Sequence, residues 1–130
     1  MAVDNRALDI GAANQIERLC TKLQKLVPYQ PASLIHGDLW SGNAHVGPEG
    51  EPVLIDPAAY WGWAEAELGM TKLFGGFPNS FYQSYINCNP LEKGWESRLD
   101  LYNIYHLLNH LNLFGGGYLG QVMAAVKKYL

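Results

Sequence analysis

The chain has 130 residues, 48% hydrophobic and 16% charged, with a formal net charge of -3. These values fit a single soluble domain, residues 1–130, and exclude a basic nucleic-acid binder, since the one basic doublet is Lys127-Lys128. No stretch approaches the ~18 apolar residues of a membrane span and the first residues lack a signal-peptide pattern, so a cytoplasmic location without membrane partners is expected.

From Asn14, the residues Ile16, Leu19, Cys20, Leu23, Leu26 and Val27 recur at helical spacing, with Glu17, Arg18, Lys22 and Lys25 on the other side. This predicts one amphipathic helix that ends before Pro28. Cys20 falls on its apolar stripe and Cys88 lies far away without C-x-x-C spacing, so both read as reduced thiols, Cys20 in a packing role. ASLIH, residues 32–36, is short and partly β-branched, which predicts a strand running into the octet HGDLWSGN, residues 36–43. NAHV and EPVLID flank the turn GPEG, residues 47–50, and predict a β-hairpin.

After Asp56 strand alternation is missing and helical spacing returns. EAELGMTKLFGG predicts a helix ending at Gly75-Gly76, and NSFYQSYI a shorter one with Phe81, Tyr82 and Tyr85 on one side. Residues 95–114 are apolar nearly all round in their second half, the pattern of a central helix. From about Tyr118 a last helix turns Val122, Val126 and Tyr129 inward and Lys127 and Lys128 outward. The expected fold class is α+β, mostly helical, with a small β-hairpin carrying the unusual octet.

The octet has the spacing of a phosphotransferase loop. In protein-kinase-like enzymes a loop of the form H-x-D-x-x-x-x-N supplies a catalytic Asp and a metal-binding Asn, and a later Asp holds Mg²⁺ against the nucleotide phosphates. Here Asp38, Asn43 and Asp56 occur in that order. A turn centred near residues 48 and 49 puts Asn43 across from residue 54 or 55, beside Asp56, so an amide oxygen and a carboxylate can meet one cation. Asp38 is then the candidate base that takes the proton of an acceptor hydroxyl. His36 is read as anchoring the loop backbone through its ring, and Trp40 as an indole face on which a sugar can stack. A metal-dependent hydrolase built on His36, Asp38 and Asp56 lacks the further ligand cluster such sites need. His45 points along the hairpin, and His106 and His110 read as hydrogen-bonded groups of an apolar helix.

HGDLWSGN, the segment VLIDPAAYWGWAEAELGMTKLFGGFPNSFYQSY and the segment GWESRLDLYNIYHLLNHLNLFGGGY closely resemble the fructosamine kinase (ketosamine-3-kinase) family, relatives of the aminoglycoside and choline phosphotransferases. The resemblance runs from about Asn5 to near the end of the chain. It implies the C-terminal lobe of a protein-kinase-like, aminoglycoside phosphotransferase-like fold. It also implies ATP- and Mg²⁺-dependent phosphorylation of the third sugar hydroxyl of ketoamine adducts, which reverses protein glycation. By position Asp38 matches the family's base, Asn43 and Asp56 its metal ligands, and Trp40 its sugar-side aromatic. Gly62-Trp63-Ala64-Glu65 departs from the polar Gly-His-containing pattern of many members, which bears on substrate preference. Glu67 stands where many have Asp, at a position implied to brace the catalytic loop.

Such a kinase also needs a glycine-rich phosphate cover and a strand lysine ahead of the catalytic loop. Only 35 residues precede His36 and they read as helix, so the N-terminal lobe is expected to be absent from this chain. GGGYLG, residues 115–120, satisfies G-x-G-x-x-G literally, yet it follows a helix and reads as a helix-to-helix turn. The expectation is an isolated lobe without turnover of its own, whose uncovered apolar face invites an N-terminal lobe or self-association. The other readings are a non-catalytic binding or regulatory module and a phosphotransferase for another small acceptor.

Overall fold

The computed structural model describes residues 7–130. The start of the resemblance at Asn5, and the reading of the first six residues as carrying no leader, lie outside the described residues. Two compact units divide the chain, residues 29–99 and the described part of 1–28 together with 100–130. No described helix is long and apolar enough to cross a membrane.

The unit of residues 29–99 holds all four strands, each three residues long: β1 Ser33–Ile35, β2 Ala44–Val46, β3 Pro52–Leu54 and β4 Tyr60–Gly62. β2 and β3 form the expected hairpin, with Ala44 opposite Leu54 and Val46 opposite Pro52. The Glu51 carboxylate steadies its turn, accepting the Glu49 N–H at 2.9 Å. β1 pairs with β4 antiparallel, Leu34 opposite Trp61. β1 lies within the strand expected over residues 32–36, whereas the sequence predicts no strand at β4, because three residues offer too short a window for alternation to register. Leu34 and Trp61 are 65% and 72% exposed, so burial does not mark this pair either.

Helix α3, Ala64–Leu73, carries Glu65 and Glu67 in its first turn, where carboxylates complement the helix dipole. It ends at Phe74, and the chain then turns through Gly75 and Gly76, both at positive φ, as a double-glycine stop allows. Helix α4, Asn79–Cys88, and the start of helix α5, Trp95–Phe114, close the core of this unit. Leu68, Tyr82, Trp95 and Leu99 are buried at its centre, and Phe77, Phe81, Tyr85, Ile86 and Leu91 pack around them. Thr71 gives its hydroxyl proton to the Leu68 carbonyl at 2.7 Å. The Tyr82 hydroxyl therefore donates to Thr71 Oγ1 at 3.1 Å, and its oxygen accepts the Phe77 N–H at 3.2 Å.

A buried ion pair ties the start of α3 to the start of α5. Glu65, 1% exposed, receives two hydrogen bonds from Arg98, at 2.8 and 2.7 Å. Arg98 also donates to the Glu92 and Lys93 carbonyls, so the guanidinium staples the loop before α5 as well.

In the other unit the sequence predicted one helix to Val27, and the chain forms two, α1 Ile10–Cys20 and α2 Leu23–Leu26. The Asp9 carboxylate caps α1 by accepting the Ala12 N–H at 2.7 Å. The break falls at Thr21, whose hydroxyl bonds back to the Arg18 carbonyl, while the Lys22 N–H takes the Leu19 carbonyl in a tighter turn. Cys20, last in α1, is exposed, which corrects the packing role expected of it. Helix α6, Leu119–Lys127, packs on α1 and buries Val122 and Val126 completely. Residues 115–118 are the expected helix-to-helix turn, with Gly115 at φ 88 and a single 3₁₀ turn over Gly116–Tyr118. The second half of α5 buries Leu107 and Leu111 but leaves Tyr105 71% exposed along with Leu113 and Phe114. An all-apolar pattern thus overstated its burial, since apolar atoms also make up much of any protein surface.

Removing the cation of the buried pair, as in Arg98→Met, is expected to cost about 3–5 kcal/mol in urea unfolding, because Glu65 is left charged and uncompensated. At the C-terminus, partial burial pushes the Tyr129 phenol up from its ordinary value. Its contribution is full below the unfolded pKa and is lost as pH rises through the folded one. Tyr129→Phe is therefore expected to flatten the alkaline decline of stability in thermal melts.

Candidate active site

The octet is shaped by its glycines and two bracing side chains. Gly37 has φ 82, and a Cβ placed there would lie 2.2 Å from the Ala58 carbonyl oxygen, so the backbone of residue 58 passes where any side chain would stand. The Gly37 N–H donates to Glu67 Oε2 at 3.1 Å, which pins the loop to the first turn of α3. The buried Glu67 Oε1 has no hydrogen-bond partner among the described residues. His36 Nδ1 receives the Asp38 N–H at 3.3 Å, so the ring proton sits on Nε2 and is donated to the Ile55 carbonyl at 2.9 Å. One imidazole thus holds Asp38 from one side and the residue before Asp56 from the other.

Asn43 ties the same two segments together. Its Nδ2 donates to the Asp38 carbonyl at 2.9 Å and to Asp38 Oδ2 at 3.0 Å, and its backbone carbonyl accepts the Ile55 N–H at 3.0 Å. The pairing of β2 and β3 therefore continues one step beyond the strands and sets Asn43 opposite Ile55, with Asp56 next along the chain. Both backbone polar groups of Ile55 are engaged by the octet, the N–H by Asn43 and the carbonyl by His36. Asp56 is the one non-glycine among the described residues with positive φ, at 51°. Such a conformation costs of order 1–3 kcal/mol and persists where the surroundings impose it. His45 donates from Nε2 to the Gly42 carbonyl at 3.0 Å and ties the hairpin to the octet.

Trp40 opens the 3₁₀ turn Ser41–Asn43 and is 36% exposed. Its indole lies over Gly42, and the Phe74 ring stands across it at 6.0 Å between centroids and 71° between planes. Trp63 and Ala64 open α3. The Trp63 carbonyl accepts the Ala66 and Glu67 N–H groups, and the Trp63 side chain is exposed.

The donor chemistry suits a hard cation. With Nδ2 committed to Asp38, Asn43 has its amide oxygen left for a metal, and Asp56 offers an exposed carboxylate; an amide and a carboxylate oxygen are a Mg²⁺ set that substrate phosphates and water complete. Among the described residues, no group of three or more His, Cys, Asp or Glu side chains gathers to hold a metal, as the hydrolase reading would need. His110 bonds through Nδ1 to the His106 carbonyl at 2.8 Å and lies against the rings of Phe114 and Tyr118, a packed histidine.

Residues 2–130 match the family model described as fructosamine kinase. The chain belongs to the fructosamine kinase family. It is 54% identical over 108 residues to the "Probable ketoamine kinase" of Synechocystis sp., covering 82% of this chain and 37% of that protein. It is 52% identical over 97 residues to the chloroplastic protein-ribulosamine 3-kinase of Oryza sativa subsp. indica, covering 75% and 28%. The crystal structure of a candidate fructosamine-3-kinase from Thermobifida fusca superposes with a TM-score of 0.91 at 35% identity, over 98% of this chain and 45% of that one. The chain therefore spans less than half the length of the relatives it matches, and its mostly helical α+β fold with a small hairpin is that of part of a fructosamine kinase.

Two residues beside Trp40, Phe74 and Gly42, are not marked as site residues by the sequence. Phe74 was seen as a helix end, and its place beside Trp40 comes from the turn that follows α3. Gly42 was one glycine among several, and its closeness to Trp40 in sequence was the available signal. The Asn43-to-Asp38 hydrogen bond adds a second task to a residue read as a metal ligand.

Gly37→Ala is expected to destabilise the chain by at least ~1–3 kcal/mol in chemical unfolding, since left-handed strain and a clash with fixed backbone act together. A loss below about 0.5 kcal/mol, the size of an ordinary surface change, would contradict the close approach of residue 58.

Proposed function

We propose that this chain carries the acceptor and metal side of an ATP-dependent kinase that phosphorylates the third sugar hydroxyl of a fructosamine or ketoamine adduct. The observation that supports the reading is the joint hold on Asp38 and the Ile55-Asp56 segment by Asn43 and His36, which ties the proposed base and the proposed cation ligands to one end of the hairpin. The names of the relatives, ketoamine kinase and protein-ribulosamine 3-kinase, support the same reaction class.

In this reading Asp38 uses the oxygen that Asn43 does not occupy. Asn43 Nδ2 holds Oδ2, which fixes the carboxylate plane and leaves Oδ1 to accept the proton of the sugar hydroxyl. The hydroxyl oxygen forms the new bond to the γ-phosphorus, the bond between that phosphorus and the β,γ-bridging oxygen breaks, and ADP leaves. Asn43 Oδ1 and Asp56 are the groups that would hold Mg²⁺, which supplies charge neutralisation across the phosphates when bound. Trp40 offers an indole face to the apolar C–H side of the sugar, and His36 and Glu67 keep the loop in place without touching substrate.

The described residues include no glycine-rich strand pair to cover ATP, and Lys127, which follows the literal G-x-G-x-x-G match of residues 115–120, is an exposed residue at the end of α6. The 130 residues alone are therefore expected to give no ATP-dependent phosphorylation of fructosyl-lysine. The chain joined to the remainder of the Synechocystis relative is expected to restore it. Clear turnover by the 130 residues would overturn the need for a second element. In the active form, Asp38→Asn is expected to lower kcat by about 10²–10⁴-fold, measured by ADP release, and an unchanged kcat would remove Asp38 as the base.

A further inference from the structure

The LFGGF segment, residues 73–77, and Gly42 have no part in the transfer described above, and both converge on Trp40. Gly42 is absent from the positive-φ residues, so its backbone would accept any side chain. What a side chain there would displace is the indole: a Cβ at Gly42 would lie 2.3 Å from Trp40 Cη2, 2.4 Å from Cζ2 and 2.7 Å from Cζ3. The benzo ring of Trp40 fills the space that a side chain at position 42 would take. Phe74 stands nearly perpendicular to the same indole. Its own position follows from the end of α3 and the left-handed pair Gly75 and Gly76, beyond which the buried Tyr82 hydroxyl takes the Phe77 N–H. The double-glycine turn is thus anchored in the core at one end and delivers Phe74 to Trp40 at the other.

We propose that Gly42 and Phe74 are positioning residues that hold the Trp40 indole in one orientation, and that acceptor affinity depends on this seat. A half-exposed tryptophan in a glycine-bounded loop has two side-chain torsions to lose before it can stack on a sugar. Contacts that remove that freedom beforehand improve binding without touching the ligand. The inference rests on Trp40 being the acceptor-side aromatic of the kinase reading.

The test is a double-mutant cycle with two readouts. In the 130-residue chain, Gly42→Ala is expected to change the near-ultraviolet circular dichroism and lower the urea midpoint. The same substitution on a Trp40→Ala background is expected to do neither, since the obstruction is gone. In the form active on fructosyl-lysine, Gly42→Ala and the gentler Phe74→Leu are each expected to raise the acceptor KM about 2- to 10-fold, the worth of one aromatic contact. The KM for ATP is expected to stay within about twofold, whereas a general loss of folding would lower kcat and raise neither KM. Equal effects of Gly42→Ala with and without Trp40, or an unmoved acceptor KM in an active enzyme, would overturn this proposal alone. Failure of the unmutated chain joined to the remainder of the Synechocystis relative to phosphorylate the ketoamine would sink the functional reading and this proposal with it.

Discussion

The Asn43 carboxamide is the constraint on which the rest of the site depends. One nitrogen bonds both the backbone and the side chain of Asp38, while the Asn43 backbone carbonyl continues the β2–β3 pairing to Ile55. Hydrogen bonds to a carboxylate are among the stronger ones, and at 6% exposure this residue is screened from competing water. Because the amide can donate only from its nitrogen, the oxygen is not the atom spent on Asp38. A single side chain thereby fixes the orientation of the Asp38 carboxylate and keeps its own amide oxygen for the proposed cation.

The surrounding fold serves to keep that arrangement from relaxing. Asp56 is held in a left-handed conformation that its own peptide would not choose, and both backbone polar groups of the preceding residue are bonded by the octet. Gly37 is pressed against the residue 58 carbonyl and tied to Glu67 on α3. α3 in turn is fixed at its start by the buried Glu65–Arg98 pair and at its end by the Tyr82 hydroxyl network. Strain at the site is thus borne by contacts with a helix whose core face is fully packed, which is where a folded chain can sustain it.

The glycine-containing blocks of this chain differ in their physical tasks. HGD needs its glycine because backbone passes within contact distance. LWSGN needs its glycine because an indole lies on it. LFGGF needs two glycines because the chain must reverse directly after α3, and the reversal brings an aromatic ring to Trp40. Three glycine-containing motifs thus answer to close backbone approach, side-chain overlap and left-handed turning respectively.

Local chemistry written along the chain determined much of this. The hairpin and its register followed from turn residues flanked by strand-like runs, and that register alone placed Asn43 beside Asp56. α3, α4, α5 and α6 followed from periodicity and glycine stops. What the tertiary structure decided were features with no local period: the three-residue strand β4, the Thr21 break between α1 and α2, the outward faces of Cys20 and Tyr105, and the Arg98 partner 33 residues from Glu65. The same holds for Phe74 against Trp40. Periodicity reports which side of an element faces inward, whereas contacts between segments distant in sequence depend on how turns aim those elements, and only the folded chain fixes that.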